Sequence, residues 1–340
     1  MRKLDMFLTC MNLTGGMALA RAMAYLRKSQ LLILAYHRVL DAGAEERWPF
    51  DIELVSASRE QFDWQLRYLK EHYDVITFRD VIAAMDGGPK LPRHPVIITF
   101  DDGFSDNYEH AFPLLRDHGI PATFFISTDY IGSDRTFWFD RIAALMLVMP
   151  TRALTLPELE APLPAAGDIA SRRAATEKLL QVLKAVPDAR RIAILEQADR
   201  EWGDRLAPSN NRLSQPMTWD QVRTMQDGGM EFGSHTHTHP ILSRLEPAQL
   251  ESELTDSRRI LERELGRRCE VISYPVGMGE AVDGEVSAAA MRAGYRLGCT
   301  YETGTNALPK QAVFDMRRQH VERYVSREHF KMLLALPQLG

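Results

Sequence analysis

Two short stretches carry most of the reactive side chains: Thr99-Phe100-Asp101-Asp102-Gly103, and Gly233-Ser234-His235-Thr236-His237-Thr238-His239-Pro240. Together they offer a divalent metal ion one carboxylate and two imidazoles, with a second carboxylate left free as a base. That is the minimum equipment for metal-assisted hydrolysis. Neighbouring residues on a regular strand face opposite sides, so Asp101 and Asp102 could not share a site within one. At a strand end, with Gly103 permitting unusual backbone angles, Asp102 can bind metal while Asp101 faces the attacking water. The competing reading is an ordinary turn in which one Asp caps the following helix. His235 and His239 fall on one side of the chain whether it is helical or extended. Gly233, Pro240 and the β-branched Thr236 and Thr238 argue for a bent loop with both rings turned inward, against a surface-exposed histidine cluster as the alternative. His237 reads as a supporting or solvent-facing residue.

These residues need elements to hold them. Residues 31–36 form a continuous apolar run that ends at His37, the pattern of a buried parallel strand. Phe62, Leu66 and Leu69 follow at helical spacing. A strand over 75–78, a helix over 79–85, a loop over 89–95 and a strand over 96–100 come next. Asp106 reads as the N-cap of a helix over 107–118, closed by Gly119, before a strand over 122–126. The alternation predicts an α/β architecture with parallel strands, whose active residues gather at the C-terminal strand ends. His37 and the Asp101-Asp102 pair fall at such ends.

From about 136 to 216 the rhythm breaks. Phe137-Trp138-Phe139 and 143–148 are strongly apolar, and 171–202 is charged and helix-forming. This predicts a helical insertion partly covering the site, either as core-covering structure or as a lid that shapes the substrate pocket. The alternation returns at Thr218, with a helix over 250–265, a strand over 269–274 and a helix over 287–293.

The 340 residues, 45% hydrophobic and 26% charged, are those of a soluble globular chain. A net charge of -5 gives no general attraction to nucleic acid. Three scattered cysteines make neither a disulfide framework nor a thiolate metal site. Nowhere is there a run of the roughly 20 apolar residues that span a bilayer. Residues 1–30 read as an N-terminal helical extension, weakly amphipathic and interrupted by Asp5, Asn12 and Gly15-Gly16, rather than as a secretory signal. This predicts a cytoplasmic protein with room for peripheral membrane contact, whose residues 31–340 form a single catalytic domain.

The string Thr99-Phe100-Asp101-Asp102-Gly103 with His235-Thr236-x-x-His239 resembles the first two motifs of the polysaccharide deacetylases, the NodB-homology (carbohydrate esterase 4) family. Similarity extends over 37–131 and 217–306. The resemblance implies a distorted (β/α) barrel in which Asp102, His235 and His239 bind zinc or a similar divalent ion, with Asp101 as general base. It also implies a backbone N–H that stabilises the oxyanion and an acid that protonates the departing sugar amine.

The chain departs from that pattern downstream. Ser273-Tyr274-Pro275-Val276-Gly277 resembles the third motif, but Ser273 stands where many members carry an arginine that orients the base. Val276 replaces a usual aromatic while keeping its N–H for the oxyanion, and Tyr274 and Trp138 are taken as further oxyanion or substrate contacts. The C-terminal motif that supplies the acid histidine has no clear match, and His320 sits in the wrong pattern. His37, in Leu34-Ala35-Tyr36-His37, resembles the Tyr-His opening of a subgroup with permuted barrel elements and is expected to act as the acid or to orient it. The expected activity is removal of N-acetyl groups from an oligo- or polysaccharide: a chitooligosaccharide, an exopolysaccharide or a lipid-linked sugar. A deformylase or amidase acting on a non-sugar amide, and a non-catalytic glycan-binding module, are the alternatives.

Overall fold

A computed structural model describes residues 30–149, 156–158, 167–206, 213, 215–309 and 311–337. The expected N-terminal surface helix lies outside the described residues. The strands are β1 (Leu32–Tyr36), β2 (Arg38–Leu40), β3 (Val55–Ser58), β4 (Asp74–Val75), β5 (Pro95–Phe100), β6 (Thr123–Ile126), β7 (Glu231–Ser234), β8 (Val271–Ser273), β9 (Leu297–Cys299), β10 (Val313–Met316) and β11 (Gln319–His320). The helices are α1 (Arg59–His72), α2 (Phe78–Met85), α3 (Phe112–His118), α4 (Trp138–Val148), α5 (Ile169–Ala185), α6 (Asp188–Trp202), α7 (Trp219–Asp227), α8 (Pro247–Leu265), α9 (Gly284–Arg292) and α10 (Arg327–Ala335).

Nine strands form one parallel sheet in the order β10-β9-β8-β7-β6-β5-β1-β11, with β4 beside β5. The sheet curls into an open barrel, the distorted (β/α) barrel the sequence predicts. Side chains of one strand divide between its two faces. Leu32, Leu34 and Tyr36 of β1 join Phe100, Phe124 and the helix residues Phe62 and Leu66 in the larger core. Leu31 and Ile33 face a second cluster with Ile97, Phe125 and Leu297, closed by Phe78 and Val81 of α2. Both faces are therefore apolar, which is why these strands read as unbroken hydrophobic runs.

The register aligns the strand ends. Tyr36 pairs with Phe100, Phe100 with Phe124, Ile126 with Ser234, Ser234 with Ile272, and Ser273 with Cys299. The residue following each strand, whether His37, Asp101, Ser127, His235, Tyr274 or Thr300, therefore sits on one rim.

Two local expectations are corrected. Phe78 opens a helix instead of ending a strand, because Thr77 and Asp80 form a reciprocal capping box. Asp106 makes no capping bond, and 107–111 form a wide π turn ahead of α3. Its carboxylate instead accepts from the Val39 N–H at 2.9 Å and from Arg38 at 3.1 Å. A fully buried guanidinium needs a counter-charge more than a helix end needs a cap. Arg38 also donates to Asp140 at 2.6 Å, which ties the barrel to the first helix of the insertion. Burial pushes the Asp140 carboxyl up to about 6 despite that partner.

The segment read as an insertion, 136–216, is helical in most of its described part. Phe137, Phe139, Leu145 and Met146 pack against Leu179, Leu183, Ile194 and Trp202 in a separate apolar cluster. No helix among the described residues is long and apolar enough to cross a membrane.

Candidate active site

The rim residues and the insertion enclose a cavity of about 910 Å³. Its floor holds His37, Asp101, Asp102, His235 and His239, and Trp138 and Phe139 of α4 form part of its wall.

The backbone at this floor is unusual. Among the described residues four non-glycine positions have positive φ: Asp102 (75°), Thr236 (68°), His239 (59°) and Val276 (64°). All four lie in the three motif segments. Such conformations each cost on the order of 1–3 kcal/mol and persist only where the surroundings enforce them. Gly103, at φ 90°, leaves no room for a side chain, since a Cβ there would meet Ile126 at 2.8 Å. The 235–239 loop is pinned by Glu253 of α8, whose carboxylate accepts from the N–H groups of His237 and Thr238, each at 2.8 Å, and from the Thr238 hydroxyl. Inside the loop the Thr236 hydroxyl accepts from the His239 N–H at 3.1 Å.

This folding brings Asp102, His235 and His239 together, with one ligand atom from each within 4.8 Å of the others. Asp102 Oδ1 lies 3.1 Å from His239 Nε2 and 3.4 Å from His235 Nε2. His235 Nδ1 is 2.7 Å from the Ser273 carbonyl, so that nitrogen carries the proton and Nε2 keeps its lone pair for a ligand. His239 is held by edge contacts with Phe137 and Phe139 of the insertion, at 5.4 and 5.2 Å between ring centres. Burial pushes the Asp102 carboxyl up, but its two histidine partners outweigh that and hold it well below the usual carboxylate range. A buried, ionised carboxylate with two imidazoles whose Nε2 atoms converge on it is a donor set that fits one divalent ion.

Asp101 faces the cluster with a different partner. Arg318 grips it in a two-pronged pair, Nη1 to Oδ1 at 2.8 Å and Nη2 to Oδ2 at 2.7 Å. Arg318 is itself fully buried and donates Nε to the Thr300 carbonyl at 2.8 Å. The Ser273 hydroxyl adds a bond to Asp101 at 3.3 Å. Burial pushes the Asp101 carboxyl up, but Arg318, with His235 and His37, more than offsets this and holds it below the ordinary value. Arg318 thus makes the guanidinium contact to Asp101 that Ser273 cannot make, and reading the sequence missed it. Glu253 was missed too.

The other expected residues are placed as follows. His37 lines the cavity, with its ring 5.5 Å from that of Tyr301. Burial lowers its pKa despite the nearby Asp102 and Asp101 carboxylates. His320 lies behind Tyr301, stacked on it at 3.7 Å, and burial pushes its pKa down to about 4. Val276 lines the cavity, and its N–H has no acceptor among the described residues. Trp138 reaches the wall with Arg191 over its ring at 4.9 Å. Tyr274 also lines the cavity, with its ring in the main core and its hydroxyl packed over Gly298. His237 turns away to Thr128, with Nδ1 2.8 Å from the hydroxyl.

A family model described as polysaccharide deacetylase matches residues 88–161 and 164–298, more than half of the chain. The chain belongs to the polysaccharide deacetylase family. By that membership it is a hydrolase of the carbohydrate N-deacetylase class. YxkH of Bacillus subtilis, named for the same family, is 23% identical over 89% of this chain and 76% of its own length. A Staphylococcus aureus poly-β-1,6-N-acetyl-D-glucosamine N-deacetylase is 32% identical, over 34% of this chain and 42% of that protein. The Streptococcus pyogenes deacetylase PplD, solved with acetate, has the same fold, with a TM-score of 0.57 and 20% identity over 89% of this chain and 97% of that one. IcaB from Ammonifex degensii gives 0.52 and 19%, over 92% and 98%. Neither His37 nor Arg318 lies within the stretch that the polysaccharide deacetylase model matches.

Proposed function

We propose that this polysaccharide deacetylase removes N-acetyl groups from an N-acetylated glycan, with Asp102, His235 and His239 holding one divalent ion, most simply zinc. The observation that carries the reading is the buried Asp102-His235-His239 cluster beside an Arg318-held Asp101 at the floor of one cavity. When bound, the ion supplies Lewis-acid polarisation of the acetyl carbonyl and of water. Asp101 takes the proton of the attacking water, and Arg318 holds both carboxylate oxygens so that the base keeps one orientation. The Val276 N–H, turned by its positive φ and free of an internal acceptor, donates to the oxygen that gains charge. His37 lies across the cavity floor and passes a proton to the leaving amine. The proton that His37 delivers is balanced by the one that Asp101 removes from the water, so none is gained or lost over a turnover.

The S. aureus relative's name makes a β-1,6-linked N-acetylglucosamine polymer the first substrate to test. Acetate release should be measured over β-1,6- and β-1,4-linked N-acetylglucosamine oligomers, with formamide-type and cyclic amides alongside. Release from an acetylated sugar is expected, and release only from the small amides would shift the reading to an amidase.

His37→Gln should lower kcat by about a hundredfold, the usual contribution of a general acid. Its bound divalent ion, counted by elemental analysis, should stay at the wild-type level. Unchanged turnover would remove His37 from the mechanism.

A further inference from the structure

The cavity is much larger than its catalytic floor, and part of its lining comes from residues with no part in the chemistry above. Large apolar side chains exposed on the described surface are few, and two of them, Met278 (48% exposed) and Tyr324 (46%), line this cavity. An aromatic left open at the mouth of a binding cavity, when most of its kind are buried, marks a contact surface.

Tyr324 is not loosely placed. It follows β11, the strand paired with β1, and so stands on the His37 side of the rim. The preceding Arg323 donates its backbone N–H to the Val55 carbonyl at 3.0 Å. Its guanidinium pairs with Glu53 at 3.1 Å and lies 5.7 Å from the centre of the Tyr324 ring. Glu322 also lines the cavity wall; burial raises the pKa of the Tyr324 hydroxyl, and the Glu322 charge raises it further. The neighbouring Arg323 is thus anchored at backbone and side chain beside the ring, while a large part of the ring's surface is open. Beside it stand a carboxylate and a guanidinium.

That combination matches a pyranose, which presents an apolar face of C–H groups and an edge of hydroxyls. The aromatic ring takes the face, and Glu322 and Arg323 meet the edge. We propose that Tyr324, backed by Glu322 and Arg323, is a stacking platform for a second sugar ring of the chain being deacetylated. The substrate is then an oligomer or polymer, not a lone N-acetylated sugar. The proposal rests on the deacetylase reading for the identity of its ligand, and binding tests it apart from turnover.

The test uses the full chain with Asp101→Asn, so that ligand is held and not consumed. Affinity is measured for N-acetylglucosamine and its dimer, trimer and tetramer, in β-1,6- and β-1,4-linked series. Affinity should rise by about tenfold or more from monomer to tetramer in one series, the size of one good aromatic contact. Adding Tyr324→Ala should remove most of that rise and leave monomer affinity unchanged, whereas Tyr324→Phe should keep it. No rise in either series, a rise that survives Tyr324→Ala, or an equal loss for monomer and tetramer would overturn the platform. A rise that depends on Tyr324 in a protein whose wild type releases no acetate would keep the platform and overturn the deacetylase reading.

Discussion

Asp101→Asn should lower kcat for acetate release by about a thousandfold, in the range expected for removal of a general base. The amide has the shape of the carboxylate and cannot take a proton from water. KM should change little, because Asp101 is asked to act mainly in the transition state. Ion binding should persist, since Asp102, His235 and His239 keep their contacts with one another. Stability should fall. The Asn side chain turns a donor NH2 toward one prong of Arg318, which leaves a buried guanidinium half-paired at a cost of about 3 kcal/mol. Urea titration reads the stability, and elemental analysis reads the ion. A variant that kept wild-type turnover would remove Asp101 as the base.

The second large effect belongs to Arg318. Arg318→Met should destabilise the protein by about 3–5 kcal/mol, because it strands a buried carboxylate. In the intact protein the Asp101 pKa lies below its ordinary value of 3.8. The stabilisation from that depression is complete above the unfolded value and disappears as pH falls through the folded one. Without Arg318, burial is the largest remaining influence and drives the pKa upward. The acid limb of the kcat profile should therefore move to higher pH, and the variant's stability deficit should shrink as pH is lowered. Combining Asp101→Asn with Arg318→Met should recover much of the stability lost by either change, with no recovery of turnover. Additive stability losses would mean that the two groups are not coupled.

The barrel was legible because its strands are buried on both faces, so that 31–36 and 96–100 stand out as apolar runs with polar chemistry at their ends. The Asp102-His235-His239 cluster was legible because Asp102 lies in one short motif and both histidines in another. Arg318 was not. It lies 217 residues from Asp101 in sequence, and the pairings of β10 with β9 and of β11 with β1 bring that segment round to the rim. In sequence it sits in Arg317-Arg318-Gln319, which looks like ordinary surface charge, and β11 has only two residues, too few to show a period. The alternation of Val313–Met316 just before it was the one usable signal. Asp106 was misread for a related reason. A carboxylate ahead of a helix looks like a cap, and the buried Arg38 that claims it lies 68 residues away. Local rules describe caps well, whereas buried charges are settled by distant partners.

The most direct measurement of the central claim is acetate release from a poly-N-acetylglucosamine by the purified protein before and after chelation, and again after zinc is restored. Release should be present at first, fall to background with chelator and return with the ion, and Asp101→Asn should stay near background throughout. Release that persists undiminished in chelator, with no divalent ion left on the protein, would contradict the assignment of Asp102, His235 and His239 as the metal site on which the hydrolysis depends.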